Sequence, residues 1–536
     1  MTRSSLLLFA LLAACSSSSG SASPPAPDGG ASDTGAPDVA MDDDGGASDD
    51  ATSDSPTDDA ADAADAASLD PPIPAAFQAF AQAFDDERVQ LGAPGAAVAI
   101  LENGQLAFFH GFGLKGPSST QPVDARTLFR IGSMTKSLTA TALLGLVDDG
   151  KVGLDATLTS IVPNVGLPAG TDTSALTVRE LLTHQSGLYD YLAVSGPTQD
   201  SALASVLESA SFAADEYYMD PPGTFWNYAN PNYYLAGLVL ETAGGTLYRD
   251  AVKQRVLSPL GMTRTFFLPS EVDADGDFTN GKSTGADGGA WDVAPDSYDN
   301  AWARPAGYAF TSVLDYAKFV QFLLAGDPAV LSDTQRTAMQ SIQVNTDTYG
   351  SVEGYGFALI VDQGFNVGTS YYPTKLVSHG GDIPGYASDF YLVPATGFAM
   401  IAFANADGVH FQSSVALALQ RFAGLPAPGT PPTGVAVDTS LFPLYAGSYD
   451  DPNNVGAVTV TANGGTLTIS MPALDAANIS YVPTLQPADR DNFVLTIEGQ
   501  ALEVTFVPDA TGTYAWLRTR VFVAQRTAVD GGPEGG

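Results

Sequence analysis

The chain has 536 residues and a formal net charge of −38, with 22 Lys and Arg against 60 Asp and Glu. A chain of this length suggests two or three domains, and its acidic excess excludes nucleic acid as a partner, because too few cations are present to neutralise phosphates. Hydrophobic residues make up 45% of the chain, which is ordinary for a globular protein.

The N-terminus has the pattern of a secretory signal peptide over residues 1–15. Arg3 supplies the positive charge, and the apolar run Leu6 to Leu12 is too short to span a bilayer. The sequence LAAC at residues 12–15 resembles a bacterial lipobox, in which Cys15 would be lipidated and become the mature N-terminus. We therefore expect an exported protein, anchored by lipidated Cys15 to the membrane of the bacterial cell envelope, at the outer membrane or cell surface. The alternative is an ordinary signal peptide with an incidental cysteine nearby.

Residues 16–71 form an acidic stretch of low complexity. Between Cys15 and Pro71 the sequence has 14 Asp and no Lys, Arg or Glu, and it has almost no large apolar side chain. Such a segment cannot bury enough apolar surface to offset the entropy of ordering, so we predict a disordered linker. A calcium-binding stretch is the weaker alternative, because the ligand spacing is irregular.

The segment 72–424 has strand patterns at both ends and mostly helix patterns between them. In chain order, the pattern predicts a helix from about residue 74 through Phe84, strands at 96–101 and 105–112 around Asn103-Gly104, a helix from Ser133 to Asp149, strands at 355–361, 375–379, 387–392 and 398–403, and a helix at 411–422. This order predicts an α/β fold in which both ends form one antiparallel β-sheet, flanked by helices, with an inserted α-rich subdomain.

A second linker and a second domain follow. Residues 425–435 are rich in Pro and Gly, which is typical of a linker. Alternating patterns then predict short strands at 458–462, 466–471, 493–498, 502–507 and 514–523. The sequence therefore predicts a small all-β domain at residues 436–536, for which a barrel is one possible arrangement.

Three short motifs in the segment 72–424 carry the chemistry. The first reads IGSMTKS at residues 131–137, directly before a predicted helix. Its spacing puts Ser133 and Lys136 on one helical face, and a serine nucleophile needs such a nearby base. A partly buried lysine loses its proton more easily and can serve as that base. The alternative for this motif alone is a capping serine beside a solvated lysine.

The other two motifs are NYANPNY at 227–233 and SHGGDIPGY at 378–386. A tyrosine near a lysine can move a proton, and an asparagine amide can position both a lysine and a substrate carbonyl. Paired glycines let a substrate approach the backbone and leave an N–H group for an oxyanion hole. Taken singly, the first of these motifs is more typical of a capped helix start and the second of a tight turn.

Together, S-x-x-K, Y-x-N and H-x-G in this order resemble a family of serine enzymes that includes class C β-lactamases, D,D-carboxypeptidases, D-aminopeptidases and related esterases. The resemblance covers about residues 74–424, and LLTHQSGL at 181–188 and RPAGY at 304–308 add to it. The C-terminal β-region also resembles modules appended to some members.

The resemblance implies a role for each motif residue. Ser133 would be the nucleophile, Lys136 and Tyr228 the base system, Asn230, His379 and Gly381 the substrate-positioning residues, and the backbone N–H groups of Ser133 and Asp382 the oxyanion hole. Class C β-lactamases usually have K-T-G where this chain has HGG followed by Asp382. That carboxylate would repel penicillins and C-terminal carboxylates and favour a neutral ester or an amine-bearing substrate, unless its side chain points away.

We therefore predict a serine hydrolase that forms an acyl-enzyme with a small-molecule or peptidoglycan-type amide or ester. The candidates are D,D-peptidase-like, esterase and D-amino-acid amidase activities, with β-lactam hydrolysis secondary. We expect no cofactor and no metal, because His110 and His410 have no metal-ligand partners nearby in sequence, and His184 is expected to be structural. The alternative is a non-catalytic surface-anchored binding protein, although a decayed member should have lost one of the motif residues.

Overall fold

The computed structural model of the protein describes residues 70–527, except 169–172, 216, 286–288, 347–352, 433–436 and 489. The predicted signal peptide with Cys15, the acidic linker up to residue 69 and residues 433–435 of the second linker lie outside the described residues. In the part of the chain that is described, no helix is both long and apolar enough to cross a membrane.

The main sheet joins the two ends of the segment 72–424. Within the described residues its strands are β1 (Gly95–Glu102), β2 (Gln105–Gly113), β3 (Val344–Asn345), β4 (Glu353–Tyr355), β5 (Ile360–Asp362), β6 (Leu376–Ile383), β7 (Tyr386–Val393) and β8 (Phe398–Ala404). They pair antiparallel in the order β2-β1-β8-β7-β6-β5-β4-β3. Because β1 pairs with β8, the predicted closure of one antiparallel sheet by both ends is confirmed.

Helices cover both faces of this sheet. The long ones are α1 (Gln78–Gln90), α2 (Thr135–Asp148), α3 (Pro231–Gly244), α4 (Val313–Ala325) and α5 (Gln412–Phe422). Val98 and Ile100 of β1 pack with α1 and α5, whereas Ala97 and Ala99 pack with α2, α3 and α4. Side chains alternate between the two faces of a strand, so a strand covered on both faces is apolar, as β8 is throughout and β1 is as far as Leu101.

Shorter elements connect these layers. The short helices are Ala75–Phe77, Gly132–Met134, Leu158–Ile161, Val178–Leu182, Ala202–Leu207, Ala210–Asp215, Tyr248–Val252, Lys253–Leu257, Pro269–Asp275, Arg304–Gly307, Asp333–Met339, Thr439–Leu441, Phe442–Tyr445 and Pro472–Ala476. The short strand pairs are Phe129–Arg130 with Phe310–Thr311, Gly281–Thr284 with Ala290–Val293, and Phe365–Val367 with Ser370–Tyr372. The region between β2 and β3 is therefore mostly helix and loop, as predicted.

One predicted strand is wrong in this segment. The apolar pattern at 355–361 predicted a single strand, but the chain folds back between β4 and β5. Ala358 has a φ of 62°, and Phe357 and Leu359 are fully buried. The turn is therefore built from buried apolar residues. Its sequence is as hydrophobic as that of a strand, so the pattern did not reveal the turn.

The C-terminal domain is a closed barrel in the described residues. Its strands are β9 (Gly447–Asp451), β10 (Gly456–Asn463), β11 (Thr466–Ser470), β12 (Thr484–Pro487), β13 (Asn492–Ile497), β14 (Gln500–Pro508), β15 (Tyr514–Arg518) and β16 (Val523–Arg526). Each strand pairs with the next, and β9 closes the barrel against β16. The all-β prediction is confirmed, and β9 and β12 are strands that the sequence pattern missed.

The predicted strand 514–523 is also wrong as a single element. It is divided into β15 and β16 by a tight turn in which the Thr519 N–H donates to the Phe522 carbonyl over 2.9 Å. The Thr519 hydroxyl oxygen also accepts the Phe522 N–H over 2.9 Å. The turn therefore holds Arg520 at the end of the barrel that faces the other domain.

Candidate active site

Ser133 lies in a one-turn helix, Gly132–Met134, that leads directly into α2. The turn lies against β6 so closely that two glycines are required. A Cβ on Gly132 would come within 2.7 Å of Asp382 N, and a Cβ on Gly381 would come within 2.1 Å of the Ile131 carbonyl oxygen. Gly381 therefore lets β6 lie beside the Ser133 turn, a role that the sequence motif did not specify.

The edge of β6 beside Ser133 is left open by the neighbouring strand. β5 pairs with β6 only from Leu376 to Ser378. Beyond that point the next residues of β6 lie along the Ser133 turn, and a Cβ on Gly381 would be 2.9 Å from Ser133 N. The backbone nitrogens of Ser133 and Asp382, the predicted oxyanion-hole donors, thus lie on facing segments.

Lys136 lies one turn after Ser133, with its side chain fully buried. Its Nζ is 2.9 Å from Ser133 Oγ, 2.7 Å from Asn230 Oδ1 and 2.8 Å from the Ala306 carbonyl oxygen. The helix Arg304–Gly307, within the RPAGY sequence, supplies this carbonyl oxygen. Three separate elements therefore hold the amine against the serine.

These three contacts fit both charge states of the amine. Asn230 Nδ2 donates to Asp190 Oδ1 over 2.9 Å, so its Oδ1 faces Lys136 as an acceptor, and the Ala306 carbonyl can only accept. An uncharged amine gives its two protons to these acceptors and presents its lone pair to the Ser133 hydroxyl. A charged amine donates to all three oxygens, so a proton can move from Ser133 to Lys136 without rearrangement.

The environment favours the uncharged amine. Burial holds the pKa of Lys136 well below its usual value; the charge of Asp190 opposes this, and that of Arg520 adds to it. A buried cation loses the hydration that stabilises its charge. Lys136 is therefore able to accept a proton from Ser133 near neutral pH.

Asp190 and Arg520 form a layer behind the motif residues. Asp190 Oδ1 accepts the Asn230 backbone N–H over 2.8 Å as well as its amide, and Asp190 Oδ2 is 3.2 Å from Arg520 Nη2. The sequence motifs gave no signal for this contact between Asp190 and Arg520. The site is therefore built partly from the C-terminal barrel.

The Tyr228 ring is packed against two neighbouring side chains. Its centroid is 4.1 Å from the ring centroid of His184 and 4.8 Å from the guanidinium Cζ of Arg520. Burial raises the pKa of Tyr228, while a side-chain hydrogen bond with Ser133 acts in the opposite direction. Tyr228 is thus a protonated phenol at neutral pH, hydrogen-bonded to Ser133.

His184 acts as a support for this tyrosine. It ends the helix Val178–Leu182 with a φ of 59°, and its Nδ1 accepts the Ala229 backbone N–H over 3.2 Å. Burial, together with nearby cations, holds its pKa well below the usual value. A neutral His184 therefore orients the loop that carries Tyr228, which agrees with its expected structural role.

His379 is also neutral in the folded protein. Burial lowers its pKa to about 3. Its Nδ1 is 2.6 Å from the Gly380 carbonyl oxygen, and its Nε2 is 3.2 Å from the Tyr355 hydroxyl. The carbonyl can only accept, so Nδ1 carries the proton and Nε2 accepts from Tyr355. His379 therefore does not supply the positive charge that a lysine at this position would supply.

Arg518 joins the barrel to the domain of residues 72–424 below the site. It is buried, and it donates to the Trp226 and Thr346 carbonyl oxygens over 2.9 Å each. Apolar contacts surround it, with Val523 of β16 packed against Met219 and Phe225. Because Trp226 is two residues before Tyr228, this interface fixes the second motif as well as the barrel.

Among the described residues, no cluster of three or more His, Cys, Asp or Glu side chains is placed to hold a metal ion.

Comparison with known proteins agrees with this geometry. A profile of the beta-lactamase family matches residues 77–424, and the chain belongs to this family. Unguisins hydrolase ungD' of Aspergillus campestris (strain IBT 28561) is 27% identical over 335 residues, which are 61% of this chain and 61% of that protein. The chain spans about three fifths of the length of the first curated relatives it matches.

Two solved structures extend the comparison. The D-amino acid amidase from Ochrobactrum anthropi SV3, complexed with L-phenylalanine amide, is 26% identical with a TM-score of 0.54 and covers 65% of this chain and 98% of its own. SurE is 23% identical with a TM-score of 0.63, and the match covers 84% of this chain and 99% of SurE. The SurE match shows the fold, and it covers more of the chain than the family match to residues 77–424 does.

Proposed function

We propose that the protein is a serine hydrolase that cleaves an amide or ester bond through an acyl-enzyme on Ser133. The observation that carries this proposal is the 2.9 Å contact between Lys136 Nζ and Ser133 Oγ, made by an amine that burial keeps uncharged. A serine hydroxyl becomes a nucleophile when a neighbouring base takes its proton.

The first half-reaction forms the acyl-enzyme. As Ser133 Oγ bonds to the substrate carbonyl carbon, its proton passes to Lys136 Nζ, and the carbonyl oxygen becomes an oxyanion. The N–H groups of Ser133 and Asp382 donate to this oxyanion. When the intermediate collapses, the bond to the leaving nitrogen or oxygen breaks, and the leaving group takes a proton from Tyr228, which is restored from Lys136.

The second half-reaction reverses these proton movements. A water molecule gives its proton to the same base system and attacks the acyl carbon. The ester bond to Ser133 breaks and Ser133 Oγ regains a proton. Tyr228 serves as a proton carrier rather than as the resting base, because burial raises its pKa.

For the substrate class we infer an amide or ester of a small acyl group or peptide, with D-amino-acid amides and peptidoglycan-type peptides as the leading candidates. The similarity to a D-amino acid amidase supports the amide. The neutral His379 supports a substrate that does not rely on a cation at this position. β-Lactams are the secondary candidates, since they acylate the same kind of serine.

The test is intact-mass spectrometry of residues 72–536 after incubation with a fluorophosphonate, with a penicillin and with D-phenylalanine amide. We expect a fluorophosphonate adduct that is absent in Ser133→Ala, and release of ammonia from the amide. A stable penicillin adduct would favour peptidoglycan chemistry. No adduct with any probe would overturn the proposal and favour a non-catalytic binding protein.

We also propose that the protein is exported and held at the cell envelope by lipidated Cys15. The lipobox-like LAAC sequence and the 14 Asp that follow it support this. Metabolic labelling with an alkyne fatty acid in a bacterial host should mark the wild-type protein and not Cys15→Ala. Equal labelling of the two proteins, or none, would contradict the anchor.

A further inference from the structure

Three charged side chains form a cluster on the far side of β6 from Ser133. His410, in the loop between β8 and α5, has Nδ1 2.7 Å from Asp389 Oδ2 and Nε2 3.2 Å from Asp382 Oδ1. The side chains are 15% exposed for His410, 8% for Asp389 and 23% for Asp382. The proposed reaction makes no direct use of these side chains, although the Asp382 N–H is one of its proposed oxyanion donors.

The alternation of β6 places the cluster on this side. The Cβ direction of Gly381 points at the Ser133 turn, so the side chain of Asp382 points to the opposite face. Gly380 lies directly across from Asp389 in the β6–β7 pairing, and a Cβ there would be 3.0 Å from Asp389 Oδ1. The two glycines thus leave room on opposite faces of β6, Gly381 for the Ser133 turn and Gly380 for the cluster.

The bonding pattern defines the charge of the imidazole. Ionised carboxylates only accept hydrogen bonds, so both ring nitrogens of His410 must donate, which requires the imidazolium. Burial lowers the pKa of His410, but Asp389 and Asp382 outweigh it and raise the pKa to about 11. Buried charges are retained when they are paired and hydrogen-bonded. His410 is therefore a cation near neutral pH, between two carboxyl groups.

We propose that His410 is a positioning residue for the oxyanion hole: it joins Asp382 to Asp389 across the back of β6 and β7, and so fixes the Asp382 peptide whose N–H faces the Ser133 turn. This inference rests on the proposed function, because it assigns a purpose to the same site. His410 also holds the Asp382 carboxylate away from the substrate side. The repulsion of carboxylate substrates considered from the sequence is thereby removed, and a substrate with a free carboxylate is compatible with the site.

The experiment measures saturation kinetics of Ser133 labelling by a fluorophosphonate, which separates reversible binding from the covalent step. His410→Gln removes the cation and leaves two carboxylates facing each other. We expect the covalent rate constant to fall roughly tenfold or more, with reversible binding changed less, since a displaced oxyanion donor acts on the transition state. His110→Gln is the matched control, because His110 is paired with Asp70 away from the site.

A double variant separates positioning from general damage. In His410→Gln with Asp389→Asn, one of the two repelling charges is gone, so the covalent rate constant should recover part of its loss. Partners in one network are non-additive in this way. Melting temperatures identify any variant that fails to fold, in which case Asp389→Asn alone, which keeps the cation and a hydrogen bond, should show a smaller loss in the same rate constant.

Additive losses, or a His410→Gln rate constant within about twofold of wild type at an unchanged melting temperature, would overturn the inference. Absence of labelling in the wild-type protein would instead overturn the proposed function, and this inference with it. The two failures are therefore distinguishable in one set of measurements.

Discussion

The guanidinium of Arg520 lies over the ring of Tyr228, with Cζ 4.8 Å from the ring centroid. The same guanidinium pairs with Asp190, which holds the amide of Asn230. A residue of the C-terminal barrel thus contributes a positive charge beside the buried Lys136. Like charges disfavour each other in a low-dielectric site, so the barrel helps to keep the amine uncharged.

Replacing Arg520 by Ala should therefore shift the pH dependence of the active site. In the proposed mechanism Ser133 reacts when Lys136 is uncharged, so the labelling rate should rise with pH through the pKa of Lys136. The charge of Arg520 lowers that pKa, and its removal should move the rising limb to higher pH. Arg520→Lys, which keeps the charge, should move it less. The check is the fluorophosphonate labelling rate between about pH 5 and about pH 10.

Arg490→Ala is the matched control, since Arg490 belongs to the same barrel and its side chain is 53% exposed. Its labelling profile should coincide with that of the wild type. A uniform loss of rate in Arg520→Ala, with the rising limb unmoved, would show that Arg520 only supports the fold.

The sequence predicted the main features of the fold where the spacing of hydrophobic residues and the residues typical of turns indicate the same element. Asn103 and Gly104 both have positive φ, at 52° and 74°, as the hairpin between β1 and β2 requires. The hydrophobic pattern was misleading at two turns. The turn at Phe357 is itself apolar, and at Arg520 the apolar residues on both sides of the turn were taken for one continuous strand. A hydrophobic pattern indicates which residues are buried. It does not separate a strand from a turn that is buried, as at Phe357, or that packs against the other domain, as at Arg520.

The candidate site was predicted only as far as its motifs extend. Spacing along one helix brings Ser133 and Lys136 together, so local sequence is sufficient there. Asp190, Ala306 and Arg520 reach the site from distant positions, and no local pattern specifies such contacts. Ala306 contributes a carbonyl oxygen, which every residue has, and only its place in the RPAGY sequence pointed to it.

Removing the hydroxyl of Tyr228 should slow proton transfer without disturbing the packing. In Tyr228→Phe the ring keeps its contacts with His184 and Arg520, but the hydrogen bond with Ser133 is lost. Hydrolysis of a substrate amide should fall by about 10²-fold or more, because the leaving nitrogen needs a proton. Fluorophosphonate labelling should fall less, since its leaving group is fluoride. Turnover of D-phenylalanine amide and labelling rates measure the two effects.

The control for this variant is Tyr234→Phe on α3. The Tyr234 hydroxyl donates to the Tyr191 carbonyl oxygen over 3.0 Å and accepts the Ala193 N–H over 3.1 Å, so the variant loses tyrosine hydrogen bonds that do not involve Ser133. Equal losses of amide turnover in the two variants would contradict a proton-carrying role for Tyr228.

A methyl group on Gly381 should separate β6 from the nucleophile. The Cβ of Gly381→Ala would lie 2.1 Å from the Ile131 carbonyl oxygen, so one of the two backbones must move. We expect labelling of Ser133 to fall by about 10²-fold and the melting temperature to fall by a few degrees, roughly the cost of overpacking. In Gly153→Ala the new Cβ would meet its nearest atoms at 3.9 Å, and both quantities should stay at wild-type values. A fully labelled Gly381→Ala would show that the close approach is not needed.

Asp362 makes the folded protein sensitive to alkaline pH. Burial, with the charge of Glu353 directly opposite on β4, raises its pKa to about 8. The unfolded chain has a pKa of about 3.9 at this residue, so between the two values the folded state binds a proton that the unfolded state has lost. The stability that this proton provides is complete below about pH 4 and is lost as the pH rises through about 8.

Asp362→Asn should therefore melt above the wild type by about 2 °C or more at pH 9, with a difference that shrinks towards pH 5, because the amide stays neutral throughout. Thermal unfolding followed by circular dichroism at several pH values measures this difference. Asp296→Asn, at an exposed position, should show a small shift that does not change with pH. A constant difference for Asp362→Asn across the range would mean that the carboxyl group is ionised in the folded protein, and that the strand pair β4–β5 tolerates two facing charges.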